Sequence, residues 1–273
     1  MTDRILVVIP CYNCERQIGR VLEQFHGIPP GIFDEILALD NRSSDATVRI
    51  ATDALAGIGS CRVTVARNRE NFNLGGSHKA AFAYAEAMGF THIVVLHGDD
   101  QGRIDDVLPV LASGAHRAFD ACLGARFMAG SKIEGYSHAR RLGNRVFNVI
   151  FSIVLRRRVA DLGSGLNIFS RTVFPREVTR HLPDDLHFNP YLLVAMADRG
   201  MRIAFFPISW REDDQVSNVR MASQALKTLG AAREYLLSRH FLRTGEHRKV
   251  RRDEYAFDVV ARREPTHRGT VAR

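Results

Sequence analysis

Apolar and polar positions along the first 130 residues switch repeatedly between two periods. Ile5-Leu6-Val7-Val8-Ile9 is an unbroken apolar run ended by Pro10, the pattern of a strand buried on both faces. Ile18, Val21, Leu22 and Phe25 then recur at helical spacing. Glu35 to Leu39 forms a second strand pattern, stopped by Asp40-Asn41-Arg42-Ser43. Ser44 or Asp45 is placed to cap a helix carrying Val48, Ile50 and Leu55. Arg62 to Ala66 is a third strand pattern, and Gly75-Gly76 punctuates the loop before an alanine-rich helix from about Ser77 to Met88. His92 to Leu96 is a fourth, and it runs into Gly98-Asp99-Asp100. This order predicts an α/β fold with a mostly parallel central sheet flanked by helices.

The remainder is less regular. Strands are expected over Ala121–Phe127, Gly163–Phe169 and Met201–Ile208, and helices over Arg140–Arg158, Pro190–Arg199 and Ser223–Phe241. With no internal repeat and no long linker, one domain over residues 1–240 is expected, followed by a basic tail over 241–273. In a parallel sheet ligands gather beyond the carboxyl ends of the strands. The polar clusters Asn13 with Glu15, Asp40 to Ser43, Arg67 to Asn73 and Asp99 to Gln101 all fall at such ends, so they predict one shared site.

Composition changes this picture only at the margins. The chain has 273 residues, 45% hydrophobic and 25% charged, enough for one large core. Its four cysteines are too few for a disulfide scaffold, and Cys11-x-x-Cys14 has no second pair to complete a zinc site, so a reduced cytoplasmic setting is expected. The N-terminus has no signal-peptide pattern, and no stretch approaches the roughly 20 apolar residues of a spanning helix. From Arg239 onward ten Lys/Arg stand against five Asp/Glu, which accounts for most of the formal charge of +8. Two readings of that segment stay open: contact with an anionic partner such as lipid headgroups or nucleic acid, or a solvated, partly disordered tail. No interleaved aromatic platform supports nucleic acid.

Adjacent carboxylates at a strand end repel unless a cation offsets them. Asp99 and Asp100 therefore suggest a Mg²⁺ or Mn²⁺ ion shared with a diphosphate, because hard cations need only one or two protein carboxylates beside phosphate oxygens. The bland alternative is acidic capping of a helix that begins at Asp105-Asp106.

Four blocks in order carry a resemblance. Residues 5–20 (ILVVIPCYNCERQIGR), 35–45 (EILALDNRSSD), 71–81 (NFNLGGSHKAA) and 92–101 (HIVVLHGDDQ) resemble the conserved blocks of the family 2 glycosyltransferases. The resemblance covers most of residues 4–225 and implies the GT-A fold. It also implies inverting transfer of a sugar from a nucleoside diphosphate sugar, a UDP- or GDP-sugar. Carried over by position, Pro10, Tyr12, Glu15 and Asp40 would hold the nucleoside, with Gly75, Gly76 and Lys79 near the donor base or phosphate. The metal would fall to Asp99, assisted by Asp100 or Gln101. His97 stands where the family's first acid is usual, and would ligate the metal, bond the ribose or diphosphate, or make a local hydrogen bond.

The second half is similar to the dolichol-phosphate mannose synthase and bacterial polyprenyl-phosphate branch. Gly124-Ala125-Arg126-Phe127 and Asp161 to Asn167, with Ser164 inside, match two of its blocks. Trp210 to Asp214 and Ser217-Asn218-Val219 resemble its closing loop. Arg126, Arg140, Arg141 and Asn144 fall where that branch contacts an acceptor phosphate, which implies a polyprenyl phosphate acceptor. Such a nucleophile is largely ionised at neutral pH and needs no general base. A sugar hydroxyl would need one, for which Asp161, Asp213 or Asp214 are candidates. The apolar run Phe147–Leu155 between arginines fits either a core helix or a helix lying at the inner face of a membrane. The competing functional readings are a soluble sugar, protein or metabolite acceptor, and a non-catalytic nucleotide-sugar-binding protein.

Overall fold

The computed structural model describes residues 2–212 and 221–266. The alternating first half folds as its periodicity predicts: β1 (Ile5–Cys11), α1 (Ile18–Glu23), β2 (Glu35–Asp40), α2 (Thr47–Ala54), β3 (Arg62–Asn68), α3 (Asn73–Ala87) and β4 (His92–Leu96). Then come α4 (Leu108–Ala112), β5 (Ala121–Ala125), β6 (Lys132–Glu134), α5 (His138–Leu155), β7 (Leu166–Ser170), α6 (Arg176–Thr179), α7 (Phe188–Asp198), β8 (Ile203–Pro207) and β9 (Ser209–Arg211). The chain continues through α8 (Met221–Leu237), α9 (Arg239–Thr244) and β10 (Phe257–Arg263). Asp213, Asp214 and the Ser217–Val219 segment lie outside the described residues.

The main sheet has eight strands in the order β10-β3-β2-β1-β4-β7-β5-β8. β7 and β10 run against the other six. β1 is central because every residue in it is buried, and its side chains alternate between two cores. Ile5, Val7 and Ile9 face Ile18, Val21 and Leu22 of α1, while Leu6 and Val8 face the core formed with α3 and α7. The order 3-2-1-4 reverses between β1 and β4, and a crevice opens at the carboxyl ends of strands at such a reversal. That point is where the sequence places Pro10–Tyr12 and Gly98–Asp99.

The segment expected as a basic tail differs. Phe257–Arg263 pairs antiparallel with β3 from Asn68 to Val63, so the described part of residues 241–273 is joined to the sheet. Its charges hid it: Asp258, Arg262 and Arg263 interrupt the apolar alternation, as charged residues commonly do on an edge strand.

Candidate active site

Hydrogen bonds from backbone and side chains tie the four strand-end loops into one rim. The Gly98 N–H donates to the Pro10 carbonyl at 3.1 Å, joining the loops after β4 and β1. A Cβ on Gly98 would stand 3.0 Å from both that carbonyl and the Cys11 sulfur, so the close approach needs glycine. The Asn13 N–H donates to Ser43 Oγ and the Ser44 N–H to Asn13 Oδ1, each at 2.9 Å, while Glu15 Oε2 accepts the Ala46 N–H. These bonds join the loops after β1 and β2. Asn41 Oδ1 accepts from the Phe72 N–H at 2.8 Å and from Asn68 Nδ2, and its own amide donates to Asn71 Oδ1. That joins the loops after β2 and β3. Of the residues expected at the nucleoside, Pro10 and Asp40 are buried in this rim and Tyr12 is 55% exposed above it. Asp40 is ion-paired with Arg67 at 3.1 Å and accepts the Ser43 N–H.

Asp99 and Asp100 turn out to be unlike. Asp100 sits at φ 59°, a left-handed conformation that Asp tolerates better than most residues. Its buried carboxylate accepts from Arg20 Nε at 2.7 Å, Arg211 Nη2 at 2.9 Å and Gln24 Nε2 at 3.3 Å. Asp100, expected to assist the metal, has its oxygens engaged as a tie between α1, this loop and β9. Asp99 is half-buried at the chain reversal, and its Oδ1 accepts the Gln101 N–H at 3.3 Å. The Gln101 carbonyl accepts the Arg211 N–H at 3.0 Å, so the loop is pinned from both sides. A divalent ion fits here through Asp99 as a single carboxylate beside donor phosphates.

His97 lies over Gly165, where an added Cβ would stand 2.8 Å from the ring. Its ring is edge-on to His78 of α3, with centroids 5.8 Å apart. Burial holds the His97 imidazole down to about 4, helped by Arg126, and burial and His97 hold His78 at about 3. Both rings are therefore neutral at pH 7. The Nε2 of each is buried without a hydrogen-bond partner.

Gly75 and Lys79 are placed differently from the expectation. The Gly75 N–H donates to the Asp184 carbonyl at 2.7 Å, and a Cβ would meet the Pro183 carbonyl at 2.5 Å. Gly76 likewise donates to Asp184. Lys79 Nζ donates to the Leu182 carbonyl at 2.6 Å, Asp184 Oδ1 at 2.7 Å and the Tyr255 hydroxyl at 3.4 Å. All three ammonium protons are thus spent inside the protein. Burial lowers its pKa to about 8 against the opposing pull of Asp184. The partners responsible lie more than 100 residues away in the chain, out of reach of a local motif.

The second half contributes a basic, aromatic wall. Arg126 and Asp161 form a buried two-pronged pair, Nε to Oδ2 and Nη2 to Oδ1 both at 2.8 Å, with the Arg126 N–H adding a third bond. Burial alone would raise the Asp161 carboxyl, but Arg126 holds it below the ordinary carboxylate range. Asp161 is consequently a poor general base. The Arg126 guanidinium lies 5.1 Å from the Trp210 ring and 5.9 Å from that of Tyr136. Arg140 pairs with Glu212 and stacks over Tyr136, and Asn144 donates to the Tyr136 hydroxyl at 3.0 Å. Ser164, expected at the acceptor, is buried and donates to the Leu166 carbonyl instead. Arg126, Phe127, Ser131, Ile133, Arg141 and Arg145 line an open cleft of about 480 Å³. It adjoins the Asp99 loop through the Gly102–Trp210 bridge.

Sequence reasoning missed Arg20, Gln24 and Arg211 around Asp100, and the Asn41–Asn68–Asn71 network. Arg20 and Gln24 were discoverable in principle, as two polar residues four apart on an otherwise apolar helical pattern.

A mostly parallel sheet of this order, with its polar strand ends at the topological reversal, is the GT-A class of fold. Solved structures of M. tuberculosis glucosyl-3-phosphoglycerate synthase superpose with a TM-score of 0.61 at 18% identity, covering 85% of this chain and 80% of that one. The complex of that enzyme with Mn²⁺, UDP-glucose and glycerol 3-phosphate gives 0.60 at 16% identity, over 85% and 80%. The family profile described as Glycosyl transferase family 2 matches residues 6–182, and the chain belongs to that family. It is 25% identical over 206 residues to an uncharacterized protein of Methanocaldococcus jannaschii, covering 76% of this chain and 81% of that one. It is also 25% identical over 175 residues to the polyprenol monophosphomannose synthase of Mycolicibacterium smegmatis, spanning 64% of each chain.

Proposed function

We propose that this protein transfers a sugar, with inversion, from a nucleoside diphosphate sugar to the phosphate of a polyprenyl phosphate. The observation that carries the reading is the arginine cleft beside the Asp99 loop, because guanidinium groups recognise phosphate through paired N–H bonds. The donor would lie in the rim, its nucleoside against Tyr12 and the β1 and β2 loops. A Mg²⁺ or Mn²⁺ ion held by Asp99 would neutralise charge on the departing diphosphate. An acceptor phosphate oxygen forms the new bond to the anomeric carbon as the bond to the nucleoside diphosphate breaks on the opposite face. This nucleophile needs no base, in keeping with an Asp161 committed to Arg126. The relative named for a polyprenol phosphate product supports the same acceptor class.

The lipid is supported by α5. Leu142, Val146, Val149 and Ile153 follow one another at spacings of four, three and four and are 49–72% exposed, an apolar stripe flanked by Arg141, Arg145 and Arg156. Such a face suits the headgroup region of an anionic membrane at the inner face of the cell, its arginines snorkelling to phosphates. Among the described residues no helix is long and apolar enough to cross a membrane. Mass spectrometry of products from UDP- and GDP-sugars tests this reading, with a short polyprenyl phosphate and 3-phosphoglycerate offered in parallel. A glycosylated lipid phosphate is expected. Product only from the soluble acid would overturn the lipid acceptor, and no product with any donor would overturn catalysis.

A further inference from the structure

At the opposite end of the sheet, away from the candidate active site, Asp3, His92 and His116 converge. Asp3 precedes β1, His92 opens β4, and His116 lies in the short turn after α4. One ligand atom from each lies within 4.8 Å of the others. β4 alone separates this group from the Asp99 loop by about 13 Å at the usual rise per residue.

The geometry is what makes the group a candidate site. His116 Nε2 lies 2.9 Å from Asp3 Oδ2 and its Nδ1 3.3 Å from the Val110 carbonyl, so an ion bound at Asp3 could take the Nε2 lone pair while Nδ1–H donates to the carbonyl. His92 Nδ1 lies 3.8 Å from the other oxygen, Asp3 Oδ1, and the two rings are 4.8 Å apart. His92 is buried, and its Nδ1 also meets the Thr91 hydroxyl at 3.0 Å, a contact the ion would replace.

We propose that Asp3, His92 and His116 form a Zn²⁺ site that fastens the N-terminal ends of β1 and β4 to the turn after α4. Two imidazoles and a carboxylate select zinc over the hard cations that suit Asp99. At zinc–ligand distances of about 2.0–2.1 Å, tetrahedral ligands stand about 3.4 Å apart, so the widest separation closes by roughly 1.5 Å at most while the 2.9 Å His116–Asp3 pair opens by about 0.5 Å. The Val110 carbonyl supplies the outer hydrogen bond that commonly orients a ligating histidine. Arg117 also holds Asp3 Oδ2 at 2.8 Å, but it is 62% exposed and can return to water when the ion binds.

The test uses the full chain without a histidine tag, titrated with Zn²⁺ by calorimetry and followed by thermal melting. Wild type is expected to bind one equivalent with a rise in Tm that the H92A/H116A double variant loses. D3N, which keeps both buried rings, is expected to bind Zn²⁺ at least tenfold more weakly while melting like the metal-free wild type. Asp99→Ala separates this site from the catalytic one and is expected to retain the equivalent. A zinc equivalent lost in Asp99→Ala but kept in H92A/H116A would assign the ion to the candidate active site and overturn the proposal. So would the absence of Zn²⁺ binding by wild type.

Discussion

The rim above β1–β4 and the cleft beyond β5 are both rich in polar residues, yet they use them in opposite ways. In the rim the polar groups largely bind one another: Asn41, Asn68, Ser43 and Asp40 are all buried and bonded to neighbouring loops. In the cleft Arg126 is held by Asp161, but the cations of α5 stand nearer to solvent: Arg145 is exposed, and Arg141 is half-buried, donating from Nη2 to the Ile133 carbonyl at 3.3 Å. A polar strand end thus has two distinct uses, building a rigid frame and meeting a ligand. On the proposed function, Asp99 and Asp100 would show both uses at adjacent positions.

The sharpest way to break that contrast is to exchange those two acids. Asp99→Ala is expected to cut transfer by about 10²–10³-fold with unchanged circular dichroism, the usual scale for losing a group that stabilises transition-state charge. Asp100→Asn is expected to keep metal affinity and lose about 1–2 kcal/mol of stability, a modest figure because Arg20 and Arg211 are each nearly half exposed. Metal affinity lost in Asp100→Asn would show that the two acids act together.

Lys79→Met is expected to lower stability by about 3 kcal/mol, the cost of breaking a buried pair, while donor KM stays within twofold. A raised donor KM in a stable variant would restore the lysine to the donor site.

His78 sharpens the frame side through pH. Its folded pKa, about 3, lies below the unfolded value of 6.5, so the unfolded chain binds the extra proton between them. The stability it contributes is full above pH 6.5 and falls with pH through that window, by on the order of 2 kcal/mol at pH 5. His78→Phe is expected to flatten the dependence of Tm on pH from 7 to 5, and an unchanged slope would count against neutral burial.

The smallest effect belongs to the cleft. Arg141→Ala is expected to raise KM for the phosphorylated acceptor about tenfold, near the strength of one charge-assisted hydrogen bond, with donor KM unaffected. Equal changes in both would merge the two regions.

Much of the frame was legible because a buried parallel strand writes itself as a contiguous apolar run with a polar stop, as at Ile5–Pro10 and His92–Asp99. The family blocks then fell on the loops that the structure joins into one rim. What they could not disclose was partnership. Lys79 finds Asp184 and Asp100 finds Arg211 across more than 100 residues, and Ser164 is turned inward beside Gly124. β10 escaped notice because an edge strand carries the charges of a surface segment.

That edge strand has a consequence for the order in which the molecule is completed. Arg69 of the β3 loop meets Asp258 of β10 across 189 residues, and Tyr255 reaches Asp184 just before it. During synthesis the first four strands emerge long before Phe257–Arg263, so β3 waits with an open hydrogen-bonding edge until that segment arrives. β10 therefore acts as a closing seam, and a chain shortened before Phe257 would leave the oldest part of the fold exposed to pairing with its neighbours.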